Sequence, residues 1–315
     1  MYKPILDKIK EYDYITIYRH QRPDGDCMFS ALALYEFLKD NFKEKQIKIA
    51  GEDTYEIITK KHKISDSFAR KSLAIVVDTS SVNRIDDIRA TQAPFMIKID
   101  HHPVVDNYGN LNFVDEKAAA CAELLAVILM SEPFKPYFVS KKVCEYLYCG
   151  LITDTINFRT ANTTYKTLEI AALLAKKGEL RVSDLVEMLT DKDIDTFQKI
   201  SKIRNYLKID QKCGFIVLDK KDLIKLDMDG WDAKNQIDEI GKIKDLKIWL
   251  FAVDVNGKYD VSVRSKRGYI INGFCAKLGG GGHANAAGIK QISKNDLKWL
   301  ISELVELSTK KPKIS

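Results

Sequence analysis

Long apolar runs are absent from this chain. No stretch reaches the ~20 consecutive apolar residues that a membrane-spanning helix requires, and the N-terminal MYKPILDKIKEYDYITIY lacks the uninterrupted apolar core of a signal peptide. A cytoplasmic protein with no membrane partner is expected. CxxC pairs are absent too. The six cysteines, Cys27, Cys121, Cys144, Cys149, Cys213 and Cys275, sit mostly in apolar, helix-like segments, which favours buried free thiols over disulfides or zinc sites. Neither sign of charge prevails by much, since 50 Lys and Arg face 44 Asp and Glu for a net charge of +6. The lysines are scattered and form no basic stripe, so long duplex nucleic acid is not an expected partner. Low-complexity segments and internal repeats are also missing, and a composition 45% hydrophobic and 30% charged is that of an ordinary globular protein.

What is present is chain enough for more than one core: 315 residues predict two domains of unequal size. From Tyr14 to Ile99 the runs YITIYR, QIKIA, SLAIVVD and FMIKID are rich in Val and Ile without polar alternation, as strands of a parallel sheet buried on both faces should be. CMFSALALYEFLKD interrupts them as a helix. Between Ala118 and Tyr206 four segments repeat apolar residues about every 3.6 positions and predict packed helices. After Asp210 the strand-like runs GFIVLD, KIWLFAVD and KYDVSVRS return, the last two joined by the turn signal Asn256-Gly257. The reading is α/β throughout. A parallel-sheet N-terminal domain covers residues 1–190, a helical connector 191–212, and a smaller α/β C-terminal domain 213–315.

The chemistry gathers at the ends of the predicted strands. His20, Asp24 and Asp26 lie in HQRPDGD between a strand and a helix, where Pro23 and Gly25 hold a tight turn. The plainer alternative is that the two acids merely cap that helix. Asp78 closes AIVVD, Asp100-His101-His102 close FMIKIDHH, and Asp154 ends the helical run YCGLITD. One such residue at a strand end means little; the conjunction points to a crevice at the carboxyl edge of a parallel sheet. Mixed carboxylate and imidazole donors suit Mn²⁺, with Mg²⁺ as the alternative, better than they suit a structural zinc site. A shared carboxylate can hold two ions at the ~3.5–4 Å separation of two-metal hydrolysis.

The ordered set HxxxDxD, Asp78, Asp100-His101-His102 and Asp154 resembles the four motifs of the DHH phosphoesterase superfamily. Downstream, Val263-Arg264-Ser265 and the GGGGHANAAG segment, Gly279 to Gly288, resemble the family's DHH-associated substrate-binding domain. The nearest subgroup is the nanoRNase and 3′-phosphoadenosine 5′-phosphate phosphatase type. The resemblance implies that the N-terminal domain is catalytic and the C-terminal one binds substrate. It implies one Mn²⁺ on His20, Asp24 and Asp78 and a second on Asp26, Asp78, His101 and Asp154, with Asp78 as the bridge. It further implies that His102 assists the leaving group and that Asp100 orients an imidazole.

Arg264, Ser265, Gly280, Gly281, Gly282 and His283 are by the same resemblance substrate contacts. Glycines let backbone N–H groups approach an anion closely, and guanidinium suits a phosphate; a flexible linker and a surface cation are the plainer readings. Arg159 is a further candidate, with a surface ion pair as its alternative. The sequence departs from the family at Phe29 and at Ala119-Ala120, near the crevice. The implied substrates are very short oligoribonucleotides or small nucleotides, handled by a chain for which a homodimer is one expectation. A cyclic-di-AMP or pApA phosphodiesterase would use the same residues, and a non-catalytic nucleotide- or RNA-binding module is the rival of another class.

Overall fold

The computed structural model describes residues 1–51 and 62–312, and the chain divides into two compact units, Met1–Asp191 and Lys192–Ser315. The first unit runs α1 (Lys3–Glu11), β1 (Tyr14–Tyr18), α2 (Gly25–Asn41), β2 (Gln46–Ile49), α3 (Asp66–Ala69), β3 (Leu73–Val77), β4 (Phe95–Asp100) and β5 (Leu111–Val114). Helices α4 (Cys121–Leu129), α5 (Lys141–Asp154), α6 (Tyr165–Gly178) and α7 (Val182–Thr190) follow. All five strands are parallel, in the order β2-β1-β3-β4-β5. Because β1 pairs with both β2 and β3, the winding reverses between β1 and β3. That switch point is where open α/β sheets leave a crevice at their carboxyl edge.

Every residue of β3 is buried, as the unbroken apolar run requires of a central strand covered on both faces. Helix α2 is buried from Gly25 to Tyr35 on every side, so its apolar residues show no stripe. It lies among the sheet, α4 and α5 in the main core of the unit. A smaller cluster on the opposite face holds Tyr18, Ala50, Phe68, Val76 and Met96.

The second unit contains α8 (Ile194–Ile203), β6 (Lys208–Asp210), β7 (Cys213–Leu218), α9 (Lys220–Leu226), α10 (Gly230–Lys234), α11 (Ile237–Gly241), β8 (Ile248–Val255) and β9 (Lys258–Ser265). It ends with α12 (Asn272–Lys277), β10 (Gly281–His283), β11 (Ala286–Ile292) and α13 (Lys294–Thr309). Its six-stranded sheet has the order β10-β11-β9-β8-β7-β6, with only β7 and β8 parallel. Asn256 and Gly257 both have positive φ, 56° and 82°, the pairing a tight turn between twisted strands needs. Residues 191–212, expected as a connector, instead extend this unit: β6 pairs with β7, and Ile203 is buried against Ile216 and Leu246 in its core.

Candidate metal centre

The structure brings all the N-terminal motif residues to the carboxyl edge of the first sheet. His20 follows β1, Asp78 follows β3 and Asp100 ends β4, while Asp24 and Asp26 open α2 and Asp154 closes α5. The imidazole Nδ1 of His20 faces the Gln21 carbonyl at 3.0 Å. Its Nε2 then turns to Asp24 Oδ2 at 3.7 Å and Asp78 Oδ2 at 3.6 Å. His101 repeats the arrangement. Its Nδ1 lies 3.3 Å from the Ala118 carbonyl, and its Nε2 lies 3.4 Å from Asp78 Oδ1, 3.7 Å from Asp154 Oδ2 and 3.9 Å from Asp26 Oδ2. A carbonyl holding one ring nitrogen fixes the tautomer and leaves the other as a lone-pair donor.

The separations are mostly too long for hydrogen bonds. They lie at or a few tenths of an ångström beyond the about 3–3.5 Å that separates two donors sharing one ion when each is ~2.1 Å from it. Asp78 turns one oxygen to His20 and the other to His101, and its Oδ1 is buried without a hydrogen-bond partner. An orphaned carboxylate oxygen amid three further acids is what a divalent cation satisfies, so the donor set fits metal. Among the described residues, the donor atoms within 4.8 Å of one another form the groups His20-Cys27-Asp78, Asp78-His101-His102 and Asp26-His101-Asp154. Cys27 was not among the sequence candidates. Asp24 stands outside these groups, more than half exposed, and reaches them through His20.

Asp24 also does what the capping alternative proposed: it accepts from the Cys27 N–H at the start of α2. Asp26 caps a different helix. Its oxygens accept from the N–H groups of Cys121 at 2.6 Å and Ala122 at 3.0 Å, the first turn of α4, whose own N-cap residue Ala120 has no side chain to offer. Close approach makes this possible: a Cβ on Gly150 would lie 2.6 Å from Ala122 Cβ and 2.9 Å from Asp26 Oδ1.

Asp78 itself sits at φ 52°, and Ile156, Asn157 and Phe158, directly after Asp154 and Thr155, have φ of 49°, 57° and 63°. Left-handed conformations in non-glycine residues cost about 1–2 kcal/mol each and collect at functional sites. The buried Thr155 hydroxyl ties this turn down, donating to Leu151 O and accepting from the Phe158 N–H.

His102 is held by Asp100, whose Oδ1 lies 2.8 Å from Nδ1 and also accepts from the backbone N–H groups of His101 and His102. Burial opposes charging His102, but Asp100 and Asp78 raise its pKa on balance. Burial works against Asp100 too, yet His102 and Lys98 hold it down at about 2. Burial would likewise discharge His20, but Asp24 and Asp78 carry it up to about 9. Asp24 is held at about 2, the packing of the site around it opposing its charge but His20 facing it and outweighing that. Burial first, then Asp78 and the other acids against the pull of His101, push Asp154 to about 7 and Asp26 well above the carboxylate range.

These shifts predict an unusual pH profile for the metal-stripped protein. Asp154, raised from 3.8 to about 7, contributes stability that is complete below about pH 4 and lost as pH rises through 7. His20, raised from 6.5 to about 9, loses its contribution as pH rises through 9. Asp24 and Asp100 are depressed and contribute steadily across this window. Melting in chelator is expected to drop by on the order of 5 °C between pH 6 and pH 9, and excess Mn²⁺ or Mg²⁺ should remove the drop, since both ions bind deprotonated ligands. A stripped protein that grows more stable over that range would contradict the assignment.

In the second unit, His283 pairs with Ala286 across β10 and β11, and Ala286 pairs with Arg264 of β9. The imidazole and the guanidinium therefore stand on one face of the sheet with only a methyl group between their strands. The glycine run is ordered structure: a Cβ on Gly280 would meet the Gly288 carbonyl at 2.4 Å, and Gly282 has φ 134°. Ser265 is buried; its hydroxyl donates to Tyr269 O and accepts from Asn285, and so it secures a loop. Arg159 is exposed and makes no ion pair among the described residues. Among them, too, no helix is long and apolar enough to cross a membrane.

Fold and site together define a phosphoesterase of the DHH class, a hydrolase. The chain belongs to that family: the DHH family N-terminal domain matches residues 14–151, and the DHHA1 domain matches residues 215–309. It is 34% identical to the probable bifunctional oligoribonuclease and PAP phosphatase NrnA of Streptococcus mutans, over 97% of this chain and 98% of that one. It is 30% identical to the bifunctional oligoribonuclease and PAP phosphatase NrnA of Bacillus subtilis, over 96% and 97%. A solved exopolyphosphatase-related protein from Bacteroides fragilis shares the fold with a TM-score of 0.86 at 21% identity, over 98% of this chain and 97% of that one.

Proposed function

We propose that the protein is a two-metal phosphodiesterase that degrades very short oligoribonucleotides to nucleoside 5′-monophosphates and also dephosphorylates 3′-phosphoadenosine 5′-phosphate. The observation that carries the two-metal reading is Asp78, one oxygen toward His20 and the other toward His101. The names of the Streptococcus and Bacillus relatives support the choice of substrates. His20, Asp24 and Asp78 would hold one Mn²⁺, and Asp26, Asp78, His101 and Asp154 the other. Two such cations supply an activated water near neutral pH and neutralise charge on the phosphoryl oxygens. Asp100 keeps Nδ1 of His102 engaged, which leaves Nε2 to deliver a proton to the leaving oxygen. Arg264, His283 and the backbone of Gly280 to Gly282 grip the nucleotide, and Arg159 faces phosphate.

A panel with Mn²⁺ tests this: di- to pentanucleotides, 3′-phosphoadenosine 5′-phosphate, pApA and cyclic-di-AMP. Short oligoribonucleotides and 3′-phosphoadenosine 5′-phosphate should be turned over fastest; preference for cyclic-di-AMP would move the protein into signalling, and no turnover would make it a binding module. The division of labour has its own signature. Arg264→Ala and His283→Ala should impair dinucleotides at least tenfold more than bis(p-nitrophenyl) phosphate, because they delete binding energy that the small diester never used. Equal losses on both substrates would show that this face supports the catalytic site itself.

A further inference from the structure

Lys98 lies in the middle of β4 and is fully buried. An ammonium there is costly unless it is paired with a counter-charge and hydrogen-bonded, and this one has two carbonyl acceptors and a carboxylate beside it. Nζ donates to the carbonyls of Ser80 at 3.0 Å and Asp106 at 2.9 Å, and it faces Asp100 Oδ2 at 3.2 Å. The Tyr108 ring covers it at 4.9 Å. Alternation along a strand puts residues 98 and 100 on one face, so the contact follows from the sequence KID. Oδ2 of Asp100 has no hydrogen-bond partner, while Oδ1 takes the Nδ1 of His102 and two backbone N–H groups. Lys98 is thus the counterion that faces Oδ2 and leaves Oδ1 to His102. Its two carbonyl partners belong to the loop after Asp78 and the loop after His102.

We infer that Lys98 is a positioning residue for catalysis: it fixes the Asp100 carboxylate and ties both loops, and through them sets the direction of His102. The inference rests on the phosphoesterase reading and adds a role to a side chain that touches neither metal nor substrate.

The experiment is a double-mutant cycle of Lys98→Met and Asp100→Asn in the full chain with saturating Mn²⁺. Substrates are a dinucleotide, whose leaving alkoxide needs a proton, and bis(p-nitrophenyl) phosphate, whose leaving group does not. Lys98→Met should lower kcat on the dinucleotide about 10–100-fold, with KM and calorimetric Mn²⁺ affinity nearly unchanged and the aryl diester affected less than threefold. Adding it to Asp100→Asn should cost little more, since both act through one contact. The His102 Nδ1 proton, read by NMR without turnover, should shift in Lys98→Met. Equal losses on the two substrates, additive losses in the cycle, or an unmoved proton would overturn the role. Should Lys98→Met not fold, Lys98→Gln carries the same cycle. Wild type inactive on both substrates would instead remove the phosphoesterase reading, with the proton measurement still deciding whether Lys98 governs His102.

Discussion

Asp78→Ala is expected to abolish turnover on every substrate, natural or artificial. Among the described residues the carboxylate is the one whose two oxygens face His20 and His101, so its loss should empty both halves of the site. Several kcal/mol of transition-state stabilisation go with them, on the order of 10⁴-fold or more in kcat. Calorimetry should show loss of metal, while the fold survives, because removing the acid also relieves the repulsion that raises Asp26 and Asp154. A variant that keeps measurable Mn²⁺-dependent activity on bis(p-nitrophenyl) phosphate would sink the bridging assignment.

His102→Ala should behave differently, with metal retained and rate lost. Its Nδ1 is committed to Asp100 at 2.8 Å, whereas His101 presents Nε2 to three carboxylates. On the proposed function the neighbouring histidines would divide into a metal donor and a proton carrier. General acid assistance contributes about 10²–10⁴-fold, and kcat on dinucleotides should fall by that much while Mn²⁺ titrates as in the wild type. If His102→Ala loses an ion instead, the two histidines have been assigned in the wrong order.

Much of this was legible because strand ends carry it. Buried parallel strands are unbroken apolar runs, and a His or Asp that terminates one stands out against them; the structure gathers three such ends at one edge of the sheet. Several of the unread elements lack that contrast. Strand β5 is four residues of mixed burial, and helices α9 to α11 have seven residues or fewer, too short to show a period. In the site, the ligand types were readable, but Asp26 as the cap of α4 was not, since its partners lie 95 and 96 residues away. Gly150 signals nothing until Ala122 and Asp26 crowd it. Lys98 did leave a trace, a lone charge in an apolar strand, and residue spacing alone could have paired it with Asp100.

The left-handed turn at Ile156-Asn157-Phe158 sets evolution and engineering at odds. Glycine would sit there without steric cost, yet a β-branched residue occupies φ 49°. Ile156→Gly should therefore raise the melting temperature by a few degrees, from relief of about 1 kcal/mol of strain. The same change frees the chain just beyond Asp154, and kcat should fall as that carboxylate gains freedom. Thermostabilised variants selected by melting alone would accumulate glycine at this turn and lose catalytic power with each one.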